Sequence, residues 1–120
     1  MNTAHWHLDF LGCRLAYTDC GEGPPVVFIQ GTGVHGAGWD PQVRELCARY
    51  RCITFDNRGM GQSQPVGAKV SVPQMAADTL PIMDACGVES AHLAGHSLGG
   101  LIAQQVALLA RERVRSLALL

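Results

Sequence analysis

The sequence has little excess charge of either sign. Nine lysines and arginines face ten aspartates and glutamates, so the formal net charge over 120 residues is −1. This balance gives no electrostatic basis for binding nucleic acid or an anionic membrane surface. Apolar runs fall far short of the roughly 20 residues that a membrane-spanning helix needs. The first residues also lack a basic region followed by an apolar stretch, so no signal peptide is predicted, and we expect a cytoplasmic protein.

Cysteine pairs are missing as well, although the sequence contains five cysteines. They are scattered, and none forms a C-x-x-C pair. Neither a disulfide framework nor a zinc site is therefore predicted, and the thiols are expected to be reduced and buried or half-buried. The residues concerned are Cys13, Cys20, Cys47, Cys52 and Cys86.

Internal repeats, low-complexity tracts and linkers are absent, so residues 1–120 are predicted to form part of one domain. Apolar residues make up 48% and charged residues 16%, which is typical of a globular chain. The stretches His5–Phe10 and Cys13–Thr18 alternate in polarity around Gly12 and predict an antiparallel hairpin. The continuous apolar run Val26–Ile29 predicts a buried strand, and further strands are predicted at Cys52–Phe55, Ala91–Ala94 and Ser116–Leu120.

Three helices are predicted between these strands. The first begins with Asp40 as N-cap and has Pro41 in its first turn. The second begins at the Ser71 cap, is kinked at Pro81 and ends at Gly87. The third runs from Leu98 to about Arg111. The expected inward positions are Val43, Leu46, Cys47 and Tyr50 in the first helix, and Leu101, Ile102, Val106 and Leu109 in the third.

Strands that alternate with helices indicate an α/β fold with a mostly parallel sheet and helices on both faces. Ligands of such sheets bind beyond the carboxyl ends of the strands. The loops after Ile29, Phe55 and Ala94 are therefore the candidate sites.

The loop after Ala94 contains the pattern G-x-S-x-G from Gly95 to Gly99, between a predicted strand and a predicted helix. This is the setting of a nucleophile elbow, a turn so sharp that the residues two positions from the serine must lack bulk. The turn places the Ser97 hydroxyl at the start of the helix, where free N–H groups favour developing negative charge. Ser97 is the predicted nucleophile.

The glycine-rich loop after Ile29 can present backbone N–H groups to a ligand. An oxyanion hole needs two such donors, one after the nucleophile and one from this loop, which predicts Leu98 and Thr32. Residues 31–36 also spell G-x-G-x-x-G, and Asp56 follows at the distance of a ribose-binding acid. Dinucleotide binding therefore remains an alternative, although Gly38 and Pro41 delay the helix that the motif requires.

The loop after Phe55 carries Asp56 and Arg58 in a glycine-rich turn. Asp56 could be a catalytic acid, but the favoured interpretation is that Asp56 and Arg58 fix this turn through local hydrogen bonds.

Taken together, Gln30-Gly31, the run D-x-R-G-x-G-x-S from Asp56 to Ser63 and the run GHSLGG from Gly95 to Gly100 resemble the α/β-hydrolase superfamily, most closely its small esterase and enol-lactonase branch. The resemblance implies a serine hydrolase that acts on a small ester or lactone through an acyl-enzyme on Ser97, without a metal or organic cofactor. A serine at this position is unlike the epoxide and haloalkane branches, which use aspartate. Gln30 replaces the more common histidine but can still hold the loop by hydrogen bonding.

The rest of a catalytic triad is missing after Ser97. The family order is serine, acid, histidine, but the only later acid is Glu112 and no histidine follows. His5, His7, His35, His92 and His96 all precede the nucleophile, and only His35 lies in a loop that could face it. The resemblance therefore implies the N-terminal part of a hydrolase domain, incomplete after the sixth strand. The alternative is a non-catalytic half-fold that binds a ligand, self-associates or pairs with a partner chain through its exposed sheet edge.

Overall fold

The computed structural model describes residues 3–31 and 36–120, which form one six-stranded mixed sheet covered by helices. The order of the strands across the sheet is β1-β2-β4-β3-β5-β6. Their bounds are Thr3–Phe10 for β1, Cys13–Cys20 for β2, Pro25–Ile29 for β3, Arg51–Phe55 for β4, Ala91–Gly95 for β5 and Val114–Leu119 for β6. Each strand predicted from an apolar or alternating run is present, with ends that differ by up to two residues.

The pairing divides the sheet into an antiparallel edge and a parallel body. β1 pairs with β2, and β2 pairs with β4, in antiparallel register. β3 lies between β4 and β5, and β5 pairs with β6, all in parallel register. The central parallel strands β3, β4 and β5 consist mainly of buried apolar residues because both of their faces are covered. Because these strands run parallel, their carboxyl ends lie at a common edge of the sheet, from which the three candidate loops start.

Helices cover the two faces unequally. A short 3₁₀ helix at Gly36–Trp39 leads into α1, Asp40–Leu46, which lies on one face. On the opposite face lie α2, Val72–Ala85, and α3, Leu98–Leu109, which is followed by a 3₁₀ turn at Arg111–Arg113. The larger core forms under α2 and α3, and a smaller core forms under α1. The arrangement confirms the predicted α/β class with helices on both faces.

The predicted start of α1 is wrong in detail. Trp39, not Asp40, is the N-cap residue, and its side chain makes no capping hydrogen bond. Asp40 and Pro41 instead occupy the first helical turn, where a carboxylate suits the helix dipole and a proline lacks only an N–H that has no partner there. The helix ends at Leu46, but the predicted inward face is confirmed: Val43 is buried in the smaller core, and Leu46, Cys47 and Tyr50 are half-buried and pack against it.

The predicted inward face of α3 is only half right. Ile102 and Val106 are fully buried, whereas Leu101 is 56% and Leu109 53% exposed. The buried face is narrower than expected because it is centred on the line through Gly99, Ile102, Ala103 and Val106. At 100° per residue, Leu101 and Leu109 both lie on the same side of this line, which is the exposed side.

The predicted cap of α2 is confirmed. The Ser71 hydroxyl oxygen accepts a hydrogen bond from the Gln74 N–H at 3.3 Å, and Ser71 itself has extended backbone angles. The helix then continues through Pro81 as one element to Ala85, and Gly87 follows with a φ of +69°. A glycine in this conformation commonly terminates a helix.

The sheet ends at β6, which is mostly exposed. Leu117 and Leu119 of this strand, and Leu120 after it, remain accessible to solvent. Within residues 3–31 and 36–120, no helix combines the length and apolar character needed to cross a bilayer.

Candidate active site

Ser97 lies in a sharp turn between the end of β5 and the start of α3. Its backbone angles are φ +57° and ψ −122°, and it shares a positive φ only with Leu11 among the described non-glycine residues. A non-glycine residue in this region is strained, and such strain is concentrated at functional sites. The turn is held by backbone hydrogen bonds on both sides, because the His96 N–H donates to Ile29 at 3.0 Å and the Ser97 N–H donates to Leu120 at 3.1 Å.

The glycines around Ser97 allow backbone segments to approach within contact distance. A Cβ atom on Gly95 would lie 2.4 Å from the Gly99 carbonyl oxygen, and a Cβ atom on Gly99 would lie 2.0 Å from that of Ile29. No side chain fits into either space. This is the steric demand from which the sequence pattern predicts an elbow, so the motif has the local geometry expected of it.

The start of the loop after β3 lies against the same turn. A Cβ atom on Gly31 would be 3.3 Å from the Ser97 Cβ and 3.7 Å from the Leu98 nitrogen. Leu98 is the first residue of α3, so its N–H has no acceptor within the helix. The predicted oxyanion donor Leu98 is therefore placed beside Ser97. The other predicted donor, Thr32, lies outside the described residues, as do His35 and most of the alternative dinucleotide motif.

Gln30 holds the start of this loop against the end of β4. Its side chain is 2% exposed, and its Nε2 donates to the Phe55 carbonyl oxygen at 2.8 Å. The Asn57 Nδ2 in turn approaches the Gln30 carbonyl oxygen at 3.5 Å. The expectation that glutamine can hold the loop at this position is confirmed, whereas the contribution of Asn57 was not foreseen.

Asp56 organises the third loop through its carboxylate. One carboxylate oxygen accepts the Gly36 N–H at 2.7 Å, and the other accepts the Gln62 N–H at 2.8 Å. The Ser63 hydroxyl donates to the Asp56 carbonyl oxygen at 2.6 Å and accepts the Ala16 N–H at 3.0 Å. These bonds fix the turn and tie it to β2, which agrees with the structural role favoured for Asp56.

Arg58 does not make the local hydrogen bonds expected of it. Its guanidinium instead donates two bonds of 2.6 Å to the carboxylate of Asp78 on α2. Both residues are buried, and the Asp78 hydrogen bonds raise the pKa of Arg58 despite the opposing effect of burial. This pair clamps the third loop to α2. One signal in the sequence could have indicated it, since Asp78 stands on the same face of the helix as the apolar Met75 and Ile82.

In the part of the chain that the structure describes, His5, His7, His92 and Asp56 make their contacts away from the Ser97 hydroxyl. His92 Nδ1 lies 2.7 Å from the Ser116 hydroxyl, and the carboxylate of Asp56 is occupied by backbone N–H groups. His5 and His7 line a cavity of about 350 Å³ between the hairpin and the start of α1, and Ser97 does not line it. Among residues 3–31 and 36–120, no hydrogen bond joins the Ser97 hydroxyl to a histidine or a carboxylate.

Residues 24–120 match the family model described as the alpha/beta hydrolase fold. The chain belongs to the α/β-hydrolase family. It is 42% identical over 106 residues to a putative carbamate hydrolase RutD from Azorhizobium caulinodans. This alignment covers 88% of this chain and 40% of that protein. The chain is 40% identical over 80 residues to 3-oxoadipate enol-lactonase 1 from Acinetobacter baylyi, in an alignment that covers 67% of this chain and 30% of that protein.

Solved structures agree with this family. The chain is similar to Est816, described as an N-acyl homoserine lactone degrading enzyme, with a TM-score of 0.91 and 32% identity. The match covers 95% of this chain and 44% of Est816. This α/β-hydrolase chain therefore spans less than half the length of each of these three relatives.

Proposed function

We propose that the protein containing this chain is a serine hydrolase that cleaves a small ester or lactone through an acyl-enzyme. The observation that carries the proposal is the backbone of Ser97, a polar residue held at φ +57° at the start of α3 by glycines that tolerate no side chain. Relatives named as hydrolases, a lactonase among them, support the substrate class.

In this mechanism the Ser97 hydroxyl attacks the carbonyl carbon of the substrate. The N–H of Leu98 stabilises the oxyanion that forms, and the N–H of Thr32 is proposed as the second donor. The alcohol leaves, or the lactone ring opens, and water then hydrolyses the acyl-enzyme.

A serine at its ordinary pKa is a weak nucleophile and needs an adjacent base. Residues 98–120 contain no histidine, and the chain spans 40% of the carbamate hydrolase relative. The proposal therefore assigns the histidine and its acidic partner to positions outside these 120 residues.

Hydrolysis by the whole protein tests the proposal. Aryl esters of short acids and a small lactone are offered to the wild type, to Ser97→Ala and to Ser90→Ala, a control at the opposite end of β5. Loss of the nucleophile is expected to lower kcat by about 10⁴-fold or more, as in other serine hydrolases. Ser90→Ala should match the wild type. A Ser97→Ala variant that hydrolyses these substrates at the wild-type rate would refute the proposal.

A further inference from the structure

Three cysteines that are distant in the sequence meet on the α1 side of the sheet. Cys20 at the end of β2 is the direct cross-strand partner of Cys52 in β4. Cys47, the residue after α1, packs against the small core that contains both of them. All three are free thiols in the structure. Neither the catalytic proposal nor the family assignment uses this cluster.

Within the cluster, the backbone next to Cys20 contacts the backbone of Cys47, and Cys47 packs against the same small core as Cys20. A Cβ atom on the neighbouring Gly21 would lie 2.4 Å from the Cys47 carbonyl oxygen, so the two segments are in direct contact. Burial, and to a smaller extent the Cys20 thiol, raise the pKa of the Cys47 thiol, so the reactive thiolate forms mainly at alkaline pH.

The pair can be reached from solvent through Cys47. Cys47 is half-buried, whereas Cys20 and Cys52 are 3% and 0% exposed. Cys20 and Cys47 also line one surface depression, together with the charged residues Asp19, Glu22 and Arg51. A small polar oxidant can therefore meet Cys47 first, with Cys20 behind it.

We propose that Cys47 and Cys20 form an oxidisable pair that a hydroperoxide converts into a disulfide. The Cys47 thiolate attacks one peroxide oxygen, the O–O bond breaks, and the products are a sulfenic acid and an alcohol or water. The Cys20 thiol then attacks the Cys47 sulfur, the S–O bond breaks, and water leaves. Overall, two thiols lose two protons and two electrons to form the disulfide, and the hydroperoxide is reduced to an alcohol or water with release of one further water.

The cross-link would enclose the segment that leads to the catalytic loop. Residues 20–47 contain β3, Gln30 and Gly31, and Gly31 lies against Ser97. Closing such a loop restricts the unfolded chain and raises the unfolding temperature of the oxidised protein. The chemistry itself does not depend on Ser97 being a nucleophile.

The experiment treats the folded protein with hydrogen peroxide at mildly alkaline pH, where more of the Cys47 thiol is ionised. Intact mass and non-reducing peptide maps are recorded for the wild type, Cys47→Ser, Cys20→Ser, Cys52→Ser and Cys86→Ser. The expected product has lost two hydrogens and contains one peptide pair joined at Cys20 and Cys47. The link is expected to be absent from the Cys47 and Cys20 variants and retained in the other two. Cys86→Ser is the matched control, because Cys86 is also half-buried.

Three results would overturn the proposal: oxidation of Cys47 to sulfinic acid without a link, a link between Cys20 and Cys52, or disulfides only between molecules. If the buried Cys20 variant does not fold, the wild-type peptide map and Cys47→Ser decide the question without it. Unfolding temperature provides an independent measurement, since an intramolecular link should raise it in the wild type and leave it unchanged in Cys47→Ser.

Discussion

Replacing Gly99 by alanine tests whether close approach of backbone segments creates the elbow. In the structure, the added Cβ atom would lie 2.0 Å from the Ile29 carbonyl oxygen and 2.6 Å from its carbon. Neither neighbour is a flexible side chain, so the start of α3 must move away from β3. Gly100→Ala is the matched control, because the nearest atom to its Cβ would be 3.7 Å away.

The two substitutions should change stability in opposite directions. Overpacking against backbone costs about 3 kcal/mol, at the upper end of the usual range. Alanine in a helix gains about 1 kcal/mol over glycine. Gly99→Ala should therefore lower the free energy of unfolding by about 2 kcal/mol, whereas Gly100→Ala should raise it by up to about 1 kcal/mol.

Urea unfolding followed by circular dichroism measures both values. Movement of α3 would also displace the Leu98 N–H, so the hydrolytic rate of Gly99→Ala should fall while that of Gly100→Ala is kept. A Gly99→Ala variant as stable as Gly100→Ala would show that the close approach of α3 to β3 does not constrain the turn.

Three further outcomes follow from contacts elsewhere. Arg58→Met or Asp78→Leu alone should lower the free energy of unfolding in urea by about 3–5 kcal/mol, and the double variant should recover most of it, because only the single variants bury an unpaired charge; additive losses would contradict this. Gly61→Ala should be less stable than Gly67→Ala in the same assay, since both positions have a positive φ but only at Gly61 does the Cβ meet a carboxylate oxygen, at 2.4 Å; equal losses would show that this contact is irrelevant. Burial raises the pKa of Cys52 from 9.0 to about 11, so the folded state keeps this proton at a higher pH than the unfolded state does, and the free energy of unfolding should fall as pH rises through this interval. Urea unfolding at a series of pH values should show a shallower fall in Cys52→Ala than in the wild type. An unchanged dependence on pH would contradict the assignment.

The strands could be predicted because their signal is local. Short, mainly apolar stretches such as Val27–Ile29 and Ile53–Phe55 are buried on both faces, and the antiparallel hairpin alternates in polarity around its glycine turn. The elbow was predictable for a similar reason. Its steric requirement falls on glycines two residues from Ser97, so the pattern is contained within five consecutive positions.

Contacts between distant segments were not predictable from the same patterns. Arg58 was expected to bond locally, but its partner Asp78 lies 20 residues further on. The exposed side of α3 was misjudged at Leu101 and Leu109, because apolar spacing defines a stripe but not where the sheet meets it. Cys20, Cys47 and Cys52 likewise appear unrelated in sequence and meet only once β2, β4 and α1 are packed together.

The most direct test of the central claim is covalent labelling of Ser97 in the whole protein. A fluorophosphonate reacts with an activated serine and leaves a stable adduct whose position can be read by peptide mass spectrometry. The account predicts a single adduct on Ser97, loss of labelling in Ser97→Ala, and retention in Ser90→Ala. A folded protein that stays unlabelled, or that is labelled equally in Ser97→Ala, would contradict the claim that Ser97 is the nucleophile.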